Sequence, residues 1–405
     1  MENRAARKIA FGIIAGVALT FLVTRAGDAD TPPGNRCPPV GIWMSPATGK
    51  HIATFDLIRE MSKRPVVLLG ETHTNAEHHR WQLQVISALY GINPNMVIGF
   101  EAFPRDVQPV LDQWIRGDLN EKEFLEKSRW FDVWQFDPGL YMPLFHFARM
   151  NRIPVRALNV ERALTRRIGK EGWATIPVGQ RAGLGDPAPP SPAYLASLKK
   201  VYGSHSDDET PIDETAFGRF VDVQLTWDRA MAEALASART SGGEPLVIGI
   251  VGRGHLEYRY GIPHQLDDLG VRGSGVLLPS DSGPPCNSDD PADAPADTVA
   301  DILFGVATPV EPDAPPRPLL GVQIENIDTA GTKSVRIVKV TEHSIAETTG
   351  LQTGDLIVRA AERDVTGISE LVATIRRQAP GTWLPLTIQR GDERLEFVAR
   401  FPALP

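Results

Sequence analysis

The stretch Leu246-Val247-Ile248-Gly249-Ile250-Val251 contains no polar side chain, and this constrains the fold more than any other feature of the sequence. A strand with one face in water alternates apolar and polar residues. A short run that does not alternate is covered on both faces, as in a parallel sheet flanked by helices. Residues 66–69, closed by Gly70, and residues 96–100 read the same way, and residues 155–158 follow Pro154 as a further strand. Helical spacing fills the intervals at 76–90, 106–115, 141–150 and 215–238. In the first of these, Trp81, Val85, Ile86 and Leu89 recur on one side. Strands alternating with helices predict an α/β domain with a mostly parallel sheet flanked by helices. Residues 27–48 read as a tail, 183–192 as a surface loop or disordered insert, and 279–297 as a second Pro/Asp/Ala-rich stretch. Residues 302–306 are the expected last strand of the domain.

The texture changes at Leu319, after a Pro-rich linker at 309–318. Residues 321–324, 335–340 and 355–360 alternate like half-buried strands, 371–377 is a short amphipathic helix, and 385–389 and 395–401 are two more strands. Leu319-Leu320-Gly321-Val322, Ser344-Ile345-Ala346-Glu347 and Gly350-Leu351-Gln352-Thr353-Gly354-Asp355-Leu356-Ile357 together resemble a PDZ domain over residues 319–402. The resemblance implies a small β-rich domain that takes a peptide as an added strand. Leu320, Gly321, Val322 and Ile324 would line it, and the peptide carboxylate would rest on backbone N–H groups of the loop before them.

Arg4, Arg7 and Lys8 precede an apolar run of roughly 15 residues from Ile9 to Val23, the length of a signal-peptide core rather than a bilayer span. Residues 1–26 are therefore expected to be a signal peptide or an N-terminal anchor, with the rest of the chain in the periplasm or cell envelope. The chain's two cysteines, Cys37 and Cys286, suit a disulfide in that compartment, with two unpaired thiols as the alternative. The count also excludes a disulfide scaffold or a Cys-rich zinc module. With 42 basic and 50 acidic residues the net charge is −8, so nucleic acid is not an expected partner.

In an open α/β sheet, ligands bind beyond the carboxyl ends of the strands. The first strand ends Gly70-Glu71-Thr72-His73, the second Gly99-Phe100-Glu101, the third at Asn159 and Glu161, and the 246–251 strand at Gly252-Arg253-Gly254-His255. Glu71, His73, Glu101 and His255 thus gather on one rim as candidate catalytic residues. Imidazole with carboxylate suits acid–base work at a water, and His73, Glu101 and His255 are the candidate ligands for a divalent metal such as Zn or Mn. Gly70 and Gly254 are expected to turn the backbone sharply there. Either His78 or His79 could turn toward the rim, but adjacent residues cannot share one helix face, and the pair is expected at solvent. Downstream lie Arg253, Tyr258, Tyr260 and His264. Tyr and His are axial haem ligands and Arg pairs with propionates, so these four are candidate haem contacts.

Gly70-Glu71-Thr72-His73, Phe100-Glu101 and Gly254-His255, followed by Tyr260-Gly261-Ile262-Pro263, resemble the ChaN-like haem-binding uptake family. Its superfamily includes the Tiki metalloproteases and the erythromycin esterases. The resemblance covers roughly residues 50–310 and implies a domain over 50–308. It also implies an envelope location and haem binding, sometimes in a homodimer, with Glu71, His73, Glu101 and His255 as the shared polar centre. Three readings follow. In the first, the chain binds haem or iron and docks through its PDZ module to the C-terminal or extended peptide of an envelope protein. In the second, it is a metal-dependent protease or esterase with Glu71 as base. In the third, it is an interaction scaffold with a vestigial rim.

Overall fold

The computed structural model describes residues 37–203, 213–240, 243–281, 298–308, 319–329 and 332–403. The N-terminal segment 1–26, the linker 309–318 and Cys286 lie outside the described residues. Cys37 is disulfide-bonded.

The first unit begins with a short antiparallel pair, β1 (Trp43–Met44) and β2 (His51–Ile52), and α1 (Thr54–Met61). Then come β3 (Val66–Glu71), α2 (Ala76–Ile92), β4 (Met96–Pro104), α3 (Gln108–Arg116), α4 (Glu121–Lys127), α5 (Trp130–Val133), α6 (Pro138–Met150) and β5 (Val155–Asn159). The remainder is α7 (Arg162–Glu171), α8 (Pro192–Gly203), α9 (Glu214–Thr240), β6 (Leu246–Gly252), α10 (Ile262–Asp268), β7 (Gly275–Asp281) and β8 (Ile302–Val306). The strands form one sheet in the order β2-β1-β8-β7-β3-β6-β4-β5. All pairings from β8 to β5 are parallel; β1 and β2 are added antiparallel at one edge.

The central strands are buried along their whole length, as their lack of polar alternation requires. Side chains alternate between two cores. Val67, Leu69, Ile98, Phe100 and Ile250 face Trp81, Trp114 and Phe145 from the helices between β2 and β5. Leu68, Val97, Val247 and Val251 face Met231 and Leu235 of α9 and Leu266 of α10.

Two expectations are corrected, and of the two readings of 183–192 the surface loop is the one observed. The stretch read as a tail supplies β1: Trp43 and Met44 are buried, and the Trp43 ring lies 4.5 Å from Phe304 and 6.0 Å from Trp81. A two-residue strand is too short to show periodicity, yet it covers the sheet edge. The 183–192 segment is fastened down. Leu184 and Ala188 are buried, and the Gln265 amide bonds both the N–H and the C=O of Ala188, at 2.8 and 3.0 Å. Finally, β7 occupies the start of the stretch read as Pro-rich loop. It pairs with β3 only from Gly275 to Leu277, so the missing N–H of Pro279 falls past that ladder.

The second unit comprises β9 (Val322–Thr329), β10 (Thr332–Val340), α11 (Ile345–Thr349), β11 (Leu356–Ala360), β12 (Arg363–Asp364), α12 (Ile368–Arg376), β13 (Trp383–Arg390) and β14 (Glu393–Arg400). Its sheet is antiparallel, ordered β14-β13-β11-β10-β9, with β12 beside β11. It has its own core around Leu320, Val335, Ile337, Leu371 and Ile388. The signature residue Asp355 is buried and receives the Arg390 guanidinium at 2.7 and 2.8 Å and the Gln352 N–H at 2.8 Å. Removing Arg390 would leave the buried Asp355 carboxylate with the Gln352 N–H as its remaining donor, whereas Arg390 itself reaches solvent. Gly321 sits at φ +82°, and a Cβ there would fall 2.2 Å from the Ser344 Cβ. Only glycine fits both demands.

Candidate functional site

The strands β3, β6 and β4 lie side by side, and their carboxyl ends bring Glu71, Gly252 and Glu101 together. The Gly252 N–H donates to Glu101 Oε2 at 2.6 Å. A methyl group on Gly252 would fall 3.0 Å from His73 Cε1 and 3.4 Å from Glu101 Oε2. The bare backbone therefore leaves room for His73 and Glu101 to face each other.

His73 stands in the loop between β3 and α2. Its Nδ1–H donates to Glu71 Oε1 at 2.7 Å, and the same oxygen accepts the Tyr141 hydroxyl at 2.9 Å. Glu71 is buried, and its Oε2 has no hydrogen-bond partner. Trp134 and Phe136 wall the imidazole, with ring centroids 4.6 and 4.9 Å away. Burial pulls the His73 pKa down, but the bond to Glu71 and the charges of Glu101 and Glu71 outweigh it, and the net direction is up.

His255 follows β6 and repeats the device. Its Nδ1–H donates to Asp228 Oδ1 at 2.7 Å, and Tyr194 donates its hydroxyl to Asp228 Oδ2 at 2.7 Å. Asp228 is wholly buried in α9. His255 Nε2 points back to Glu101, 3.7 Å from Oε1. Burial pulls the His255 pKa down; Asp228 and then Glu101 outweigh it and raise the value to about 9. Burial and the two carboxylates push the Tyr141 and Tyr194 hydroxyls well up, so both remain proton donors. Each imidazole thus has Nδ1 fixed by a buried carboxylate that is itself held by a buried tyrosine. That fixes the tautomer and leaves Nε2 for the rim. A protonated His255 beside the Glu101 carboxylate gives the rim an acid and a base in contact with one space.

The structure brings together the four expected rim residues and changes the role of one. Glu71 is turned away from the rim, committed to His73 and Tyr141, and is not placed to act as base. The candidate metal set is corrected as well. Among the described residues no group of three or more His, Cys, Asp or Glu is placed to hold a metal ion. Asn159 supports the rim from the side by donating to the Glu101 carbonyl at 3.3 Å, whereas Glu161 is exposed at the start of α7. Gly70 does not turn the chain: it lies inside β3, where a Cβ would meet Leu278 at 2.2 Å. Gly254 has open space around it. His78 and His79 are buried rather than exposed. His78 Nδ1 accepts the Thr72 N–H at 2.9 Å, and His79 Nε2 lies 3.1 Å from the His73 carbonyl, so both brace the loop that carries His73. The first turn of a helix points at its preceding loop, which lets neighbouring residues serve one purpose.

The four candidate haem contacts lie downstream of His255. Arg253 donates to Glu257 at 2.6 Å, and His264 Nε2 donates to the Pro189 carbonyl at 2.8 Å. The Tyr258 and Tyr260 rings stack 5.3 Å apart, both partly exposed, and Tyr260 also packs on Tyr194 at 5.9 Å. Tyr258 has φ 54°, an uncommon left-handed conformation for a bulky residue. Its hydroxyl pKa is raised by burial and Glu257, with Arg253 opposing.

Sequence reading missed Asp228, Tyr141, Tyr194, Trp134 and Phe136. Asp228 left a signal: a carboxylate on the stripe of α9 that also holds Leu225, Met231 and Leu235. The reading also missed a groove of about 380 Å³ beside α9, lined in part by Tyr202, Phe220, Val223, Trp227 and Arg219. Trp227 connects it to the rim, edge-on to His255 at 6.3 Å.

A family model described as haem-binding uptake, Tiki superfamily, ChaN matches residues 57–266, and a PDZ model matches residues 318–399. Among solved structures, ChaN of Campylobacter jejuni with cofacial haem is 19% identical with a TM-score of 0.49; the match covers 65% of this chain and 95% of that one. The HtrA3 PDZ domain bound to a phage-derived ligand is 24% identical with a TM-score of 0.19, covering 20% of this chain and 82% of that one. The HtrA-type protease AlgW with a decapeptide is 18% identical with a TM-score of 0.20, covering 22% of this chain and 30% of that one. No curated protein matches the chain.

Proposed function

Since the chain belongs to the haem-binding uptake family of the Tiki superfamily, ChaN, and ends in a PDZ domain, we propose that it is an exported haem-binding protein of the cell envelope, docked through the PDZ domain to a peptide of an envelope partner. The observation that carries the haem reading is the family match over more than half of the chain. Groups of the kinds haem needs are present, in a groove beside α9 and in the segment after His255. A tetrapyrrole needs an apolar groove, a cation for its propionates and an oxygen or nitrogen donor for its iron. The groove at Phe220, Val223 and Trp227 supplies the first, and Arg219 on its wall supplies the second. Tyr258, partly exposed and stacked on Tyr260, is better placed as a donor than His264, whose Nε2 is engaged with Pro189. Bound haem supplies an iron centre that accepts such axial donors. Export is supported by the basic residues and apolar run before Val23. The test is a haemin titration followed by visible spectroscopy. A saturable Soret shift is expected in the wild type and lost in the Tyr258→Phe/Tyr260→Phe variant; a wild type without a shift rejects the reading.

One observation favours a second reading, hydrolysis at the rim: both imidazole Nε2 atoms are left for the space around Glu101. Protonated His255 would act as acid and Glu101 as base toward a water. In a screen of ester and peptide substrates, Glu101→Gln and His255→Ala should abolish turnover that the Tyr258→Phe/Tyr260→Phe variant retains.

A further inference from the structure

We propose that Arg259 is the residue that positions Tyr258 for haem, by locking the strained turn on which the Tyr258 phenol is carried. The inference rests on the haem reading, with Tyr258 as the donor, and adds the residue that holds that donor in place. Tyr258 and Arg259 have φ values of 54° and 61° in succession. This left-handed conformation is unfavourable for bulky residues and routine for glycine. Two such residues side by side persist only where their surroundings over-determine them.

The surroundings here can be named. The main chain holds the turn through the Tyr258 N–H, which donates to the Val299 carbonyl, and the Arg259 N–H, which donates to the Leu256 carbonyl, each at 2.9 Å. The Arg259 side chain adds three further bonds. One guanidinium nitrogen donates to the Ser274 carbonyl at 3.0 Å and to Asp301 Oδ2 at 2.9 Å, and another donates to Ser274 Oγ at 3.0 Å. Ser274 is buried directly before β7. Asp301 stands directly before β8, and its Oδ2 also accepts the Val276 N–H at 2.8 Å. Arg259 thus ties the turn to two strands of the sheet. A planar fork can make these bonds together, whereas the single ammonium of a lysine cannot.

The fold makes little use of the phenol that this turn carries. Among the described residues the Tyr258 hydroxyl makes no hydrogen bond, whereas the Tyr141 and Tyr194 hydroxyls are bound to buried carboxylates. The Tyr258 ring is half-buried and stacks on Tyr260, with the planes 27° apart. A strained and anchored backbone under a side chain that the fold does not bond is the arrangement of a group held for a ligand. A donor fixed in this way need not be ordered when the ligand arrives.

The test uses the full chain with haemin as the probe, read by visible spectroscopy, and thermal unfolding without haemin. Arg259→Lys keeps the charge and loses the fork. It should weaken haemin binding by roughly tenfold and move the Soret band toward its position in Tyr258→Phe. Arg259→Gly is the second variant, because glycine takes a φ of 61° without strain. It should move the band in the same way while unfolding at no lower temperature than Arg259→Lys. A band at the wild-type position in both variants, whatever their affinity, would make Arg259 a structural residue, and the inference would fall alone. Without haemin, Tyr258→Gly should unfold at a higher temperature than Tyr258→Ala, because only glycine relieves the turn. The reverse order would mean that there is no strain for Arg259 to hold. A wild type without a Soret shift removes the haem reading, and the inference with it.

Discussion

Asp228 Oδ1 and His255 Nδ1 are 2.7 Å apart, joining a carboxylate in the middle of a long buried helix to a histidine at the end of the central strand. The pair sets the charge state of the rim. With its pKa raised to about 9, His255 is protonated at neutral pH while folded. Unfolded, it returns to its ordinary value near 6.5. Its contribution to stability is therefore fully present below about pH 6.5 and lost as the pH rises to about 9.

Asp228→Asn removes the charge and keeps the shape. The His255 pKa should fall, because burial then acts with only Glu101 opposing it. A thermal-unfolding series should show wild-type stability declining between pH 6.5 and 9 and a flatter profile in the variant. The difference near pH 7 should be on the order of 3 kcal/mol, the equivalent of about two pKa units. NMR titration of the His255 ring reports the same change directly. A variant whose imidazole still titrates near the wild-type value would show that Asp228 does not hold the proton.

The groove beside α9 gives a separate prediction for haem. Trp227→Ala removes an apolar wall, and Arg219→Ala removes its cation. Each should weaken haemin binding by roughly tenfold, about 1.4 kcal/mol, without changing the position of the Soret band. A shifted band would instead place the changed side chain at the iron. Wild-type affinity in both variants would place haem outside this groove.

Most of the sheet was legible because its central strands are buried on both faces and, up to Glu71 at the end of β3, carry no polar residue, as a covered parallel sheet requires. The rim was legible for a related reason: His73, Glu101 and His255 follow such runs, and a polar residue at the end of a fully apolar strand stands out. Their partners were harder to read. Asp228 and Tyr194 lie within helices, and Tyr141 sits on one that packs on the opposite face of the sheet. Their roles depend on which helix crosses which strand end, and local spacing does not encode that. The buried His78 and His79 failed for the same reason. Helical periodicity assigns faces along a helix, whereas these two act through its first turn.

Gly252 tests whether the bare backbone between His73 and Glu101 matters. Gly252→Ala puts a methyl 3.0 Å from the His73 ring and 3.4 Å from Glu101. The backbone itself tolerates alanine, with φ −60°, so the effect is one of space. The ring must move, straining its bond to Glu71 or its packing on Trp134. A loss of roughly 1–3 kcal/mol is expected by thermal unfolding, with a changed His73 titration. Unchanged stability and titration would show that the ring has room to spare.

Gly321 tests the PDZ domain without touching the rim. Its φ of +82° already disfavours a side chain, and a Cβ would lie 2.2 Å from the Ser344 Cβ. Gly321→Ala should therefore destabilise the PDZ domain by more than about 1 kcal/mol and distort the loop that takes the peptide carboxylate. Because this domain has its own hydrophobic core, the loss should appear as an earlier unfolding step that leaves the step of the larger domain in place. Haemin binding should be unaffected, and peptide anisotropy should be abolished. If both binding activities fell together, the two cores would be unfolding as one unit, and docking and haem binding would be inseparable in this chain.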